Sequence, residues 1–126
     1  MVPYMSQGAA IAVEDAAAIS AALACVEDPD EIGAALAVFE TVRKERTEGM
    51  QQASWLNGEI WHIEDRTLQE ARNEGMRGSL EGDAERKETE WSAVQWSDPA
   101  CQAWTYGYDS VAEVMSAWER TRKQKS

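Results

Sequence analysis

Pro3-Tyr4-Met5-Ser6-Gln7-Gly8-Ala9-Ala10-Ile11-Ala12-Val13-Glu14-Asp15-Ala16 is the stretch on which the reading of this chain turns. It begins with a proline and a short polar turn, then passes into small helix-forming residues. Ser6 stands where a helix takes its N-cap, and Gln7, Gly8, Ala9 and Ala10 would form the first turn. The first N–H groups of a helix have no partner inside it, and Gly8, Ala9 and Ala10 carry no side chain large enough to cover them. Such a start favours negative charge and permits the flat approach of a ring or a phosphate. The competing reading is that the same small residues serve close packing between helices.

The pattern continues helically in both directions from this point. Ile11, Asp15, Ala18, Ile19, Ala22, Leu23 and Val26 recur at spacings of three and four, which predicts a helix from Gln7 to Cys25 with a stripe broken by Asp15. The polar run Glu27–Asp30 ends it. Asp28, Pro29 and Glu31 then supply an N-cap, an N1 proline and a capping-box carboxylate for a second helix. Its apolar positions are Ile32, Leu36, Phe39, Val42, Met50, Ala53, Leu56, Ile60 and Ile63, a run of about eight turns at 3.6 residues per turn. A short polar helix is predicted over Thr67–Glu74, a mobile linker over Gly78–Thr89 and a last helix over Ser110–Arg120, followed by a basic tail. Four of the six tryptophans (Trp91, Trp96, Trp104 and Trp118) fall in the final segment. No alternating run of β-branched residues marks a strand, so the fold class is mainly α. The expected division is 1–66, 67–90 and 91–126.

Composition narrows the function classes. With 23 acidic against 12 basic side chains, the chain has a net charge of −11, which repels phosphate backbones and anionic lipid surfaces. Nucleic acid and membrane are therefore not expected partners. Cys25, Cys101 and the lone His62 make neither a disulfide framework nor a zinc site, and a cytoplasmic, reducing location is expected. The apolar run Ala16–Val26 is too short to span a bilayer, which takes about 20 residues. No metal site and no catalytic residue are assigned. Glu14 and Asp15, adjacent on a helix, diverge and do not form an acid–base pair. Asp15 is expected to be buried or to meet a helix dipole, and Arg43 to pair with Glu40 one turn before it. His62 reads as a polar partner at a packing surface, and the tryptophans as a packing clasp.

The opening stretch resembles the loop-helix that follows the Gly-Asp motif in FAD-dependent aromatic-ring monooxygenases, particularly the salicylate hydroxylase-like group. The pattern there looks like M-x-P-[YF]-x-x-Q-G-[AG]-x-x-[AG]-[IVL]-E-D-A, and Met1 to Ala16 follow it throughout. Further along, Ala34-Ala35-Leu36 to Phe39-Glu40, Arg43-Lys44-Glu45-Arg46 and Ser54 through Asn57-Gly58 to Trp61-His62 look like the long helix of the same family. Trp96-Ser97-Asp98-Pro99 and Trp104-Thr105-Tyr106-Gly107-Tyr108-Asp109 look like its C-terminal end.

The resemblance implies the helical C-terminal segment of a Rossmann-like α/β FAD-binding fold, with domain 1–66 carrying the flavin-contacting loop-helix. It implies FAD as cofactor, NAD(P)H as co-substrate and oxygen-dependent hydroxylation of a small aromatic substrate. The family roles carried over would set the amides of Gly8, Ala9 and Ala10 against the N1 and C2-carbonyl edge of the isoalloxazine, put Pro3 beside its reactive face, and give Gln7 the shaping of the turn. These 126 residues contain no Gly-x-Gly-x-x-Gly after a strand and no Gly-Asp motif. The chain is therefore expected to be an incomplete, inactive monooxygenase, from truncation or a start codon assigned too late, that does not retain FAD and self-associates through exposed apolar surface. The alternative is a non-enzymatic helical module that binds a partner protein.

Overall fold

A computed structural model of the chain describes residues 2–80 and 98–125, with side chains described over 2–77 and 98–124. A 3-10 turn, Pro3–Met5, leads into α1 (Gly8–Ala24), and a second, Pro29–Glu31, leads into α2 (Ile32–Trp61). α3 covers Arg66–Leu80, α4 Pro99–Tyr106 and α5 Ser110–Lys125. Among the described residues there is no strand, and the mainly α reading holds. The chain divides into two units, Met1–Ser54 with Asp109–Ser126, and Trp55–Tyr108.

The first unit gathers α1, the first part of α2 and α5 around a core of Ala18, Ala22, Ala35, Val38, Val114 and Trp118. Three of these six are alanines, and small side chains let helix backbones approach closely. Phe39, Val42, Ala21 and Ala117 pack against this centre from its margin. On the exposed side of the same unit, Glu27 accepts hydrogen bonds from Arg122 at 3.1 and 3.4 Å, joining α5 to the segment between α1 and α2. The charge and hydrogen bonds of Arg122 hold the Glu27 carboxyl below its usual range.

The capping box at the start of the second helix forms as the sequence predicts. Asp28 Oδ1 accepts from Asp30 N at 2.9 Å, while Glu31 Oε2 accepts from the Asp28 and Glu27 amides. The first turn, however, is 3-10 before α2 proper begins. The buried face of α2 also differs from the expected one: Ile32 and Leu36 are 43% and 40% exposed, whereas Ala35 and Val38 are buried. The helix turns Ala35 and Val38 into the shared cluster with Ala18 and Ala22, and the larger Ile32 and Leu36 fall on the flank.

In the second unit, Asp65 caps α3 through Leu68 N at 3.0 Å. Arg72 donates to the Ile60 carbonyl at 2.8 Å, and Gln69 donates to the Ile63 carbonyl at 2.6 Å. Side chains of α3 thereby satisfy carbonyls at the end of α2 that no further helical turn would meet. α3 runs to Leu80, beyond the expected end at Glu74, and takes in the first residues of the expected linker; the rest of that linker, with Trp91 and Trp96, lies outside the described residues. α4 was not expected, although its signals are present: Asp98 accepts from Cys101 N at 2.8 Å and Pro99 occupies the first turn. Gly107 ends it, where a Cβ would lie 2.6 Å from the Ala103 carbonyl oxygen. α5 extends through the expected basic tail to Lys125.

Candidate functional site

The loop before α1 is built differently from a simple capped start. Pro3 opens the 3-10 turn, Ser6 N–H closes it on the Pro3 carbonyl at 2.9 Å, and Ser6 lies in the left-handed region at φ 51°. Ser6 is therefore the hinge after the turn, and the N-cap position passes to Gln7. This corrects the expected capping role of Ser6, since a residue turned left-handed two positions before the helix does not hold its first amides. Gln7 makes no side-chain cap and is buried, as is Met5 at 1% exposure. The buried glutamine and methionine pin the loop inward.

Beyond them, Gly8, Ala9 and Ala10 are exposed. A Cβ placed on Gly8 would meet no atom within 4 Å. Ile11 N is the first amide to bond back into the helix, to the Gln7 carbonyl at 2.9 Å. The three preceding N–H groups thus begin the helix with neither a capping side chain nor bulk in front of them. Pro3 is exposed on the same loop. Such a geometry suits a flat, electron-rich edge at the positive end of a helix.

Two turns into α1 lies a group that the sequence reading paired wrongly. Arg43 does not take Glu40, which is exposed; its Nε donates to Asp15 Oδ1 at 2.7 Å and its Nη2 meets Glu14 Oε2 at 2.9 Å. Arg46 binds the same Glu14 through Nη2 at 3.0 Å and Nε at 3.3 Å. Both arginines are buried, at 3% and 4% exposure. Burial raises the Glu14 pKa, but hydrogen bonds from Arg46 and Arg43, with their charges, outweigh it and leave the carboxyl below its usual range. Asp15 is not buried as expected, with its side chain 41% exposed. Glu14 and Asp15 interrupt one apolar stripe and Arg43 and Arg46 the facing one, and that matched pair of interruptions was the signal available in the sequence.

The other end of the loop is tied to α2. Ser54, fully buried, donates to the Val2 carbonyl at 2.6 Å. Of the remaining candidates, His62 is exposed at the end of α2, Trp104 is 43% exposed and Trp118 belongs to the core of the first unit. No group of His, Cys, Asp or Glu among the described residues has a metal-holding arrangement, and no described helix is long and apolar enough to cross a membrane.

Comparison with known proteins gives this loop-helix its context. The chain is 36% identical over 122 residues, 97% of its length, to the FAD-dependent monooxygenase OpS4 of Beauveria bassiana (strain ARSEF 2860). It is 35% identical over 115 residues to the FAD-dependent monooxygenase atnJ of Arthrinium sp, and 38% identical over 73 residues to the FAD-dependent monooxygenase ntnJ of Nectria sp. The chain is accordingly similar to a segment of these FAD-dependent monooxygenases. It spans about a quarter of the length of the first two relatives, 27% and 25%, and 17% of the third. No family model and no solved structure matches it.

Proposed function

We propose that this chain supplies the flavin-facing loop-helix, and the helices that brace it, of an FAD-dependent monooxygenase of the salicylate hydroxylase-like kind, as its C-terminal part. The observation that carries the reading is the uncapped, unobstructed start of α1 at Gly8, in a chain similar to an FAD-dependent monooxygenase over nearly all of its residues. The residues present fit the group: exposed amides, no Cβ at the helix start, and a proline-led turn beside it. Bound FAD would supply the redox chemistry, taking electrons from NAD(P)H and activating oxygen toward an aromatic substrate. The chain's own share is electrostatic and steric. The amides of Gly8, Ala9 and Ala10 would face the N1 and C2-carbonyl edge, where reduction places negative charge. Pro3 would border the reactive face, while Gln7 holds the turn. A cytoplasmic location belongs to the same proposal and draws on two free thiols, Cys25 and Cys101.

The test is a chimera in which residues of this chain replace the matching segment of the Beauveria relative. The purified chimera is expected to hold FAD at about one per chain, while the 126-residue chain alone holds none, because a helix start contributes only about 0.3–2 kcal/mol. A folded chimera without flavin would overturn the reading. It would favour instead a helical interaction module, to which the exposed Val13, Trp55 and Trp61 would then belong.

A further inference from the structure

Hydroxyls on the helices of this chain commonly bond back to their own helix. Ser20 donates to Ala16 O, Thr41 to Ala37 O, Thr47 to Arg43 O and Thr121 to Ala117 O, each four residues earlier and at 2.7–3.0 Å. Such local bonds are the default for a helical Ser or Thr. Ser54 departs from it: its hydroxyl donates to the Val2 carbonyl, 52 residues away in sequence, at 2.6 Å and at zero exposure. The acceptor belongs to the residue immediately before Pro3, where the loop enters its 3-10 turn.

The geometry points to Ser54 as a positioning residue, the clamp that fixes the loop Val2–Gln7 and so sets where the amides of Gly8, Ala9 and Ala10 point. This inference rests on the flavin-facing reading of that loop for its purpose, though not for its mechanics. Three anchors act on the segment. Met5 and Gln7 are buried in its middle, the Glu14 ion pairs with Arg43 and Arg46 hold α1 beyond it, and Ser54 holds its entry. Without the Ser54 bond, the Val2 carbonyl loses its partner and the entry to the turn is no longer tied to α2. Residues 2–10 should then open locally while the core remains closed.

Amide hydrogen exchange of the full chain tests the clamp without any flavin. In Ser54→Ala, the Ser6 amide, which closes the turn on the Pro3 carbonyl, is expected to exchange about tenfold faster, the scale of one buried hydrogen bond, while the amides of Ala18, Ala22 and Val114 keep their protection. Ser54→Cys, close in size but a weak donor, should behave in the same way. Unchanged exchange at the Ser6 amide, or a uniform rise across the core, would overturn the clamp, as would an effect in the alanine variant that the cysteine variant lacks, since volume would then be the cause. The purpose is read separately, in the flavin-loaded chimera, where Ser54→Ala should shift the flavin absorption spectrum. A chimera that opens locally yet leaves the bound flavin spectrum unmoved would limit Ser54 to a role in folding. A chimera that binds no flavin would sink the functional reading and leave the exchange result to decide the clamp.

Discussion

Glu14 faces two arginines that have left water, Arg43 at 2.9 Å and Arg46 at 3.0 Å. Replacing it by Gln keeps its size and leaves both guanidiniums with one carboxylate fewer, at a cost of about 3 kcal/mol. Asp15→Asn, at a side chain two-fifths exposed, should cost less than about 1 kcal/mol. Since the Glu14 pKa is lowered on folding, its contribution is complete above the ordinary carboxylate range. It declines as pH falls below about 4.3 and vanishes once the lowered folded value is passed. Urea midpoints of the parent and the Glu14→Gln chain should therefore converge with acidification, and a gap that stays constant down to acid unfolding would refute the assignment. At Gly8, Gly8→Asp in the flavin-loaded chimera places a negative charge where reduction also places one. A perturbation of about 0.5–2 kcal/mol corresponds to a potential lower by roughly 10–40 mV, at about 30 mV per 1.4 kcal/mol for two electrons. Gly8→Asn is the control of like size, and an equal fall in both variants would remove the electrostatic role.

At the scale of elements, the helices were legible in the sequence wherever a punctuating residue coincided with periodicity. Asp28-Pro29 marked the second helix, and the end of α1 fell within a residue of its expected place. Asp28→Ala should lower stability by about 1 kcal/mol, seen as a fall in melting temperature without a change in helical content at low temperature. The inward faces were less legible. The apolar pattern gave weight to Ile32 and Leu36 by size, yet Ala35 and Val38 are the positions that the fold buries. The pairing of Glu14 and Asp15 with Arg43 and Arg46 joins residues about 30 apart, so neighbour rules within one helix could not reach it, and Glu40 was taken in error. The open start of the first helix was readable from Gln7-Gly8-Ala9-Ala10. The left-handed Ser6 and the Ser54 bond were not, since both depend on where the chain returns in space.

For the whole molecule, the described surface carries large apolar side chains, among them Val13 at 70% exposure, Trp55 at 64%, Trp61 at 60% and Tyr106 at 64%. Large apolar side chains left open to water favour being covered. The isolated chain should therefore bind a hydrophobic dye and sediment faster than a monomer as its concentration rises, despite a net charge of −11. A sedimentation coefficient independent of concentration, with no dye fluorescence, would argue for a self-sufficient module.

The alanine-centred core of the first unit also sets how its stability responds to temperature. Exposure of apolar surface raises the heat capacity on unfolding and exposure of polar surface lowers it. A core with Ala18, Ala22 and Ala35 at its centre releases little hydrocarbon when it opens, while the buried Arg43 and Arg46 release polar surface. Its heat-capacity increment should thus lie below the usual value of about 12–15 cal/mol/K per residue. The resulting stability curve is shallow and wide, so the unfolding free energy of this unit varies little between cold and warm conditions.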